Sequence, residues 1–271
     1  MARRAYLLLA VLAALSACGH STAKAKETAV SYDGPLYVRG AAEKHHGAGA
    51  AGNVVDCRTW SRGGFSAAKV YPHGATADSP DGALETAGHE GVLYGPLDGL
   101  QVAKKERDRV LYVLAVRGAV KAAVIVHNGP ATKGAGGPGW YVESWASCDF
   151  AEFPASFTDS IGLQIWTDSA GNPAPTTRIQ SYRGPAHCNW QSMTFLSIGK
   201  TTYVRAPQPD LADYFALPYR ENISLPNDAV DTGFQRAGHK LWLSRGKQLA
   251  YVGTPSGVES WPRKVRPLLC S

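Results

Sequence analysis

The sequence predicts an α+β protein: predominantly antiparallel β-sheet with a few short helices, arranged as two disulfide-stapled halves related by duplication. Three observations carry that expectation. Among 271 residues, 29 are Gly and 17 are Pro, a turn-rich composition that suits many short strands better than long helices. Two β-branched runs, 109–116 and 119–127, flank the pair Arg117-Gly118 and read as a hairpin. The tetrapeptide Val142-Glu143-Ser144-Trp145 recurs unchanged as Val258-Glu259-Ser260-Trp261, each time shortly ahead of a cysteine. With 44% hydrophobic and 18% charged residues, the chain has enough apolar material for real cores and is not a disordered polymer.

The chain opens with a leader. Arg3 and Arg4 form a positive start, and Ala5 to Leu15 form an apolar run too short to cross a bilayer, which needs ~20 residues. Leu15-Ser16-Ala17-Cys18 follows and resembles the lipobox of bacterial lipoproteins. That resemblance implies cleavage after Ala17, so that 1–17 is a signal peptide, and transfer of diacylglycerol to the Cys18 sulfur, with palmitate among the acyl chains. Two acyl chains hold a protein on a membrane where one is marginal. Removing the leader takes away two arginines and no acid, leaving the mature chain at +4 of the original +6. A mildly basic, exported protein without a run of like charges is a poor fit for nucleic acid. Residues 18–33 read as the lipidated cysteine and a flexible tether.

Four cysteines remain, and an even number in an exported chain suggests two disulfides. No Cys-x-x-Cys spacing is present, so neither a redox motif nor a zinc knuckle is supported. Cys57-Arg58-Thr59-Trp60 and Cys188-Asn189-Trp190 each place a Trp just after a Cys, and each half closes with Val-Glu-Ser-Trp and then Cys. The simplest pairing is Cys57 with Cys148 and Cys188 with Cys270, one staple per half.

The first half is expected over 34–153. Gly47 to Gly52 reads as a mobile loop, and Ser79-Pro80-Asp81 as a helix start with a Ser cap and Pro at the first helical position. The hairpin of 109–127 and a third strand over 140–148 follow. The second half, 154–271, is β-rich: strands are expected over 161–168, 178–183, 202–205, 240–244, 248–252 and 258–261, with turns at 169–172 and 245–246 and a short helix at 210–215.

Several stretches of the body resemble uncharacterised secreted lipoproteins of high-GC Gram-positive bacteria. They are Val142 to Trp145 with Cys148-Asp149, Gly184-Pro185 with His187-Cys188-Asn189-Trp190, and Asp231-Thr232-Gly233 with Leu241-Trp242-Leu243. The resemblance implies no catalytic residue.

Candidate chemistry is sparse. Asp231-Thr232-Gly233 resembles the aspartic-protease loop, but that chemistry needs a second carboxylate sharing a proton, and no second copy exists. The plainer expectation is a turn capped by Asp231. Ser66-Ala67-Ala68-Lys69 matches a Ser-x-x-Lys nucleophile motif, a pattern that also occurs at Ser21–Lys24 and Ser197–Lys200 and so carries little information. His45-His46 lacks a fixed ligand geometry, and no metal site or cofactor is expected. Glu143 and Glu259 hold equivalent places in the echo. They either face one another across a pseudo-twofold axis, as glycosidase carboxylates do at roughly 5–10 Å, or stand one per edge strand, solvent-facing and paired with Lys or Arg. Seven Trp residues, mostly on expected strands, pack cores or stack on sugar rings.

The expectation is therefore a lipid-anchored protein on the extracytoplasmic face of a bacterial membrane with a non-catalytic binding or interaction role. Its partners are the membrane through Cys18 and a wall glycan or another envelope protein. The alternative is a cell-envelope hydrolase of glycosidase type, with Glu143, Glu259 and Asp231 as its candidate residues.

Overall fold

The structure, a computed structural model, describes residues 30–65, 76–89, 93, 97–130 and 138–269. The leader with Cys18, most of the tether, Ser21–Lys24, Ser66–Lys69 and Cys270 lie outside the described residues. In chain order the elements are α1 (Gly49–Val54), β1 (Trp60–Phe65), α2 (Pro80–His89), β2 (Gln101–Lys105), β3 (Arg109–Val116), β4 (Ala119–Gly129), β5 (Gly139–Cys148), α3 (Ala155–Ser160), β6 (Leu163–Gln164) and β7 (Ile179–Arg183). They continue with β8 (Thr194–Ile198), β9 (Thr201–Arg205), β10 (Arg220–Ile223), β11 (Val230–Arg236), β12 (His239–Leu243), β13 (Leu249–Thr254) and β14 (Gly257–Pro262).

These strands form three antiparallel sheets: β1-β5-β4-β3-β2, β6-β7-β8-β9 and β10-β14-β13-β12-β11. The first and third share one winding. Each is a four-strand meander whose last strand is flanked on its far side by a strand that precedes the meander in sequence. The repeated tetrapeptide occupies that last strand both times, and its pairing repeats as well. Trp145 lies opposite Val124 and Ser144 opposite Ile125, while Trp261 lies opposite Ala250 and Ser260 opposite Tyr251. The echo in the sequence is thus an echo in topology, and it sets both glutamates on inner strands rather than the expected edges.

In the first half the sheet is covered on both faces. One face packs Leu111, Val113, Ala123, Ile125 and Ala146 against α1 and the extended segment holding Leu36 and Val38. The other packs Val110, Tyr112, Val124, Val126 and Trp145 against Ala83 and Ala87 of α2. The two-residue turn joining β3 and β4 has φ of 55° at Arg117 and 82° at Gly118, the paired positive values that let a hairpin follow the right-handed twist of its strands. Ser79 caps α2 by accepting a hydrogen bond from the Gly82 amide at 3.0 Å.

Gly47 to Gly52 corrects one expectation. Instead of a mobile loop, most of it is α1, with Ala48, Ala50 and Ala51 almost wholly buried. Small side chains are what let a helix lie so close to a sheet: a Cβ on Gly63 of β1 would stand 2.7 Å from the Ala48 Cβ. A second correction concerns residues 161–168. Ile161 ends α3 and is exposed, Gly162 follows at φ 68°, and the strand shrinks to Leu163–Gln164. The alternation of Ile161, Leu163 and Ile165 mimicked a strand that the positive-φ glycine interrupts. The turn at 169–172 is present, its backbone amides at Ala170 and Asn172 donating to the Asp168 carboxylate. The expected helix near 210 is a 3-10 segment, Pro209–Tyr214.

Cys57 and Cys148 are joined, closing a span of 91 residues. Beside this bridge the buried Glu152 accepts hydrogen bonds from the amides of Arg58 and Thr59 and from Lys121 Nζ, which also donates to the Asp56 carbonyl. Cys188 is disulfide-bonded too. In the second half, the second and third sheets face one another around Trp166, Ile179, Leu196, Tyr203, Phe234, Leu241 and Trp261. Backbone bonds stitch both margins, Thr167 with Gln235 on one side and the Lys264 amide to the Thr202 carbonyl on the other, giving a flattened barrel. The halves meet at Asp149, which is fully buried and accepts from both the amide and the hydroxyl of Thr176.

Candidate functional site

Both repeated glutamates are buried, and each is gripped by an arginine through two parallel hydrogen bonds. Glu143 accepts from Arg109 Nε at 2.8 Å and Nη2 at 2.9 Å; Glu259 accepts from Arg205 Nε at 2.8 Å and Nη2 at 2.9 Å. A bidentate guanidinium is the fitting partner for a carboxylate removed from water, because it satisfies both oxygens at once. The elements supplying the arginines differ. Arg109 begins β3 of the same sheet, whereas Arg205 ends β9 of the facing sheet.

The local backbone explains the difference. In the first sheet the register slips between Ile125 and Val126, so Glu143 has no direct opposite on β4. Such a bulge turns a side chain that plain alternation would send elsewhere. Glu143 thereby joins Arg109 and His127, which share a face with Leu111 and Ile125, while Trp145 stays on the α2 face. The third sheet has no slip there, and Glu259 keeps the same face as Trp261, whose indole Nε1 donates to Glu259 at 2.8 Å.

Around Glu143 the network is dense. His127 Nδ1 lies 3.3 Å from the carboxylate and 3.0 Å from the Tyr141 hydroxyl, and its Nε2 lies 3.2 Å from Asp108. Arg109 also reaches Asp108 at 3.1 Å and stacks over the Tyr37 ring. Its bonds to Glu143 push the guanidinium pKa up, and burial followed by the nearby Glu143 charge does the same to the Tyr141 phenol. Around Glu259, burial opposes ionisation, but the hydrogen bonds from Arg205 and Trp261 outweigh it and hold the carboxyl below the usual carboxylate range. Arg205 is pushed up in turn by its bonds to Glu259.

The two carboxylates belong to different sheets and share no partner among the described residues. Facing one another across one cleft is therefore corrected, and so is exposure on an edge strand; only the pairing with arginine survives. Asp231 stands apart from both, exposed on β11, where its carboxylate accepts from the Gly233 amide at 2.8 Å and Gly233 has φ 72°. That is a capped turn inside a bulged strand. His45 stacks on Trp60 at 3.9 Å, and no cluster of metal-ligating side chains occurs among the described residues.

Glu259 also borders a cleft of about 260 Å³ between the second and third sheets. Trp166 and Trp261 form its floor, and Gln164, Thr194, Arg205, Arg236 and His239 are among its walls. The indoles are fixed: Trp166 Nε1 donates to Ser181 Oγ, which donates to Gln164 Oε1. Arg236 and His239 sit directly opposite each other beside the turn of the β11-β12 hairpin, which brings their side chains to one face.

Sequence reasoning missed Arg109, His127, Arg205, Arg236 and His239. One signal was available: Arg109 shares strand parity with Leu111 and Val113, and Arg205 with Tyr203, so each arginine lies on an apolar face that would demand a buried anion. No family model matches the chain, and no curated protein or solved structure matches it either.

Proposed function

We propose that the protein is a membrane-anchored extracytoplasmic lipoprotein with a non-catalytic binding role at the bacterial cell envelope. The observation that carries the binding half of this reading is the state of the repeated carboxylates. Both are held by arginine in separate places, whereas a glycosidase acid and its partner must flank one bond. The Leu15-Ser16-Ala17-Cys18 motif supports the anchor, and the Cys57–Cys148 bridge supports an oxidising compartment. Among the described residues no helix is long and apolar enough to cross a membrane.

The test is a thermal-shift panel of wall glycans, anionic lipids and divalent metals, run beside an assay for glycan cleavage. A ligand at 100 times its Kd stabilises by about 2.7 kcal/mol, roughly 5–10 °C for a protein of this size. A shift without cleavage is the expected result. Cleavage abolished by Glu143→Gln or Glu259→Gln would contradict it.

A further inference from the structure

The charge around the cleft between the second and third sheets is unbalanced. Arg205 and Glu259 neutralise one another, but Arg236 and His239 form no ion pair among the described residues. Arg236 stands on the exposed end of β11, and no carboxylate among the described residues lies within ion-pair distance of it. A guanidinium at the edge of a cleft can hold a planar anion through two parallel N–H bonds.

The remaining walls are polar and neutral. Gln164 already accepts from Ser181 through Oε1, so its amide NH2 is left to donate, and Thr194 adds a hydroxyl. The two indoles below them are locked by their own hydrogen bonds and make a rigid apolar floor. Sites for drug-sized ligands run to roughly 300–1,000 Å³, so a cleft of about 260 Å³ has room for a single ring. Two buried indoles, scattered donors and one cation without an ion pair among the described residues together match a compact ligand carrying hydroxyls and one acid group.

We propose that this cleft binds an acidic sugar, a pyranose ring bearing a carboxylate, with Arg236 and His239 holding the carboxylate and Gln164 and Thr194 bonding ring hydroxyls. The assignment rests on the binding role proposed above but not on the anchor, because purified protein reports it in either case.

The experiment titrates the full-length protein, purified in detergent, with glucuronate, glucose and inorganic phosphate, following heat and tryptophan fluorescence. Glucuronate is expected to bind at least about tenfold more tightly than either control, a difference of ~1.4 kcal/mol. Arg236→Gln, which removes a side chain with no ion pair among the described residues, is expected to erase that advantage while leaving the melting temperature unchanged. Thr194→Val is expected to weaken glucuronate and glucose alike. Equal affinity for glucose and glucuronate, or for phosphate and glucuronate, would overturn the assignment, as would an Arg236→Gln protein that binds like the parent. If every saccharide is silent while a lipid or metal shifts the melting temperature, the cleft assignment fails and the binding role stands. A panel silent throughout counts against both.

Discussion

Replacing Glu143 by Gln should destabilise the protein more than the same change at Glu259, although both glutamates lie in the same tetrapeptide. The side chains of Glu143 and Arg109 are 3% and 15% exposed, so removing the carboxylate charge leaves a guanidinium that water can hardly reach with only the half-exposed Asp108 as its counter-ion. Breaking a buried pair from one side costs about 3–5 kcal/mol. At about 2–4 °C per kcal/mol for a chain of this size, Glu143→Gln should lower Tm by roughly 6–20 °C. Arg205 is 41% exposed beside a Glu259 that is 9% exposed, and water can take over part of the lost interaction. Glu259→Gln should therefore cost only about 1–3 kcal/mol, nearer the value of a charged hydrogen bond. Urea unfolding of both single variants, of Arg109→Met and of the Glu143→Gln/Arg109→Met double variant would measure this. The double variant should cost less than the two singles added together, because each single leaves a buried group without its bidentate partner and the double removes both. A Glu143→Gln variant losing less than about 1 kcal/mol, or strict additivity in the cycle, would refute the clamp as a structural device.

Three further outcomes follow from the packing. Glu259 and Glu152 both titrate below the ordinary carboxylate value, each despite burial and because of hydrogen bonds from cations and, for Glu152, backbone amides. Their stabilisation is full above the unfolded-state value near 4.3 and is lost as pH falls from there through the folded-state values, so Tm should drop steeply in acid and Glu259→Gln should flatten part of that drop. Gly63→Ala should destabilise by about 1–3 kcal/mol through overpacking, since its Cβ would meet the Trp145 carbonyl oxygen as well as the Ala48 Cβ at 2.7 Å; thermal melts check this. Reducing the Cys57–Cys148 bridge, which closes 91 residues, should cost about 4.5 kcal/mol by chain entropy, and peptide mapping under non-reducing conditions should also find Cys188 joined to Cys270.

Where local physics governs, the sequence was readable. Arg117-Gly118 specified its hairpin because a two-residue turn with positive φ matches the right-handed twist of the strands it joins, and Gly adopts that conformation readily. The Ser79-Pro80-Asp81 start was readable because a cap satisfies orphan amides within three residues. Asp231-Thr232-Gly233 was readable as a capped turn for the same reason. The repeated Val-Glu-Ser-Trp marked the equivalent strand in each five-stranded sheet.

What escaped depends on partners far along the chain. Gly47 to Gly52 has the composition of a loop, and only the sheet face of β1, β4 and β5 beneath it makes a buried helix favourable. The Glu143 face was hidden because one register slip reverses a side chain, and nothing in the tetrapeptide encodes the slip. The arginines lie 34 and 54 residues from their glutamates, in one case on another sheet, a pairing that periodicity cannot reveal. The cleft is assembled from β6, β8, β9 and β11 to β14, so no contiguous motif announces it.

Anchoring through Cys18 is tested by the intact mass and N-terminal identity of the mature protein from the membrane fraction. A lipid-anchored protein yields a chain beginning at Cys18 with a diacylglyceryl group on its sulfur, and a Cys18→Ser variant that is neither acylated nor cleaved after residue 17. A mature chain that begins elsewhere, or one that begins at Cys18 with an unmodified thiol, would contradict it.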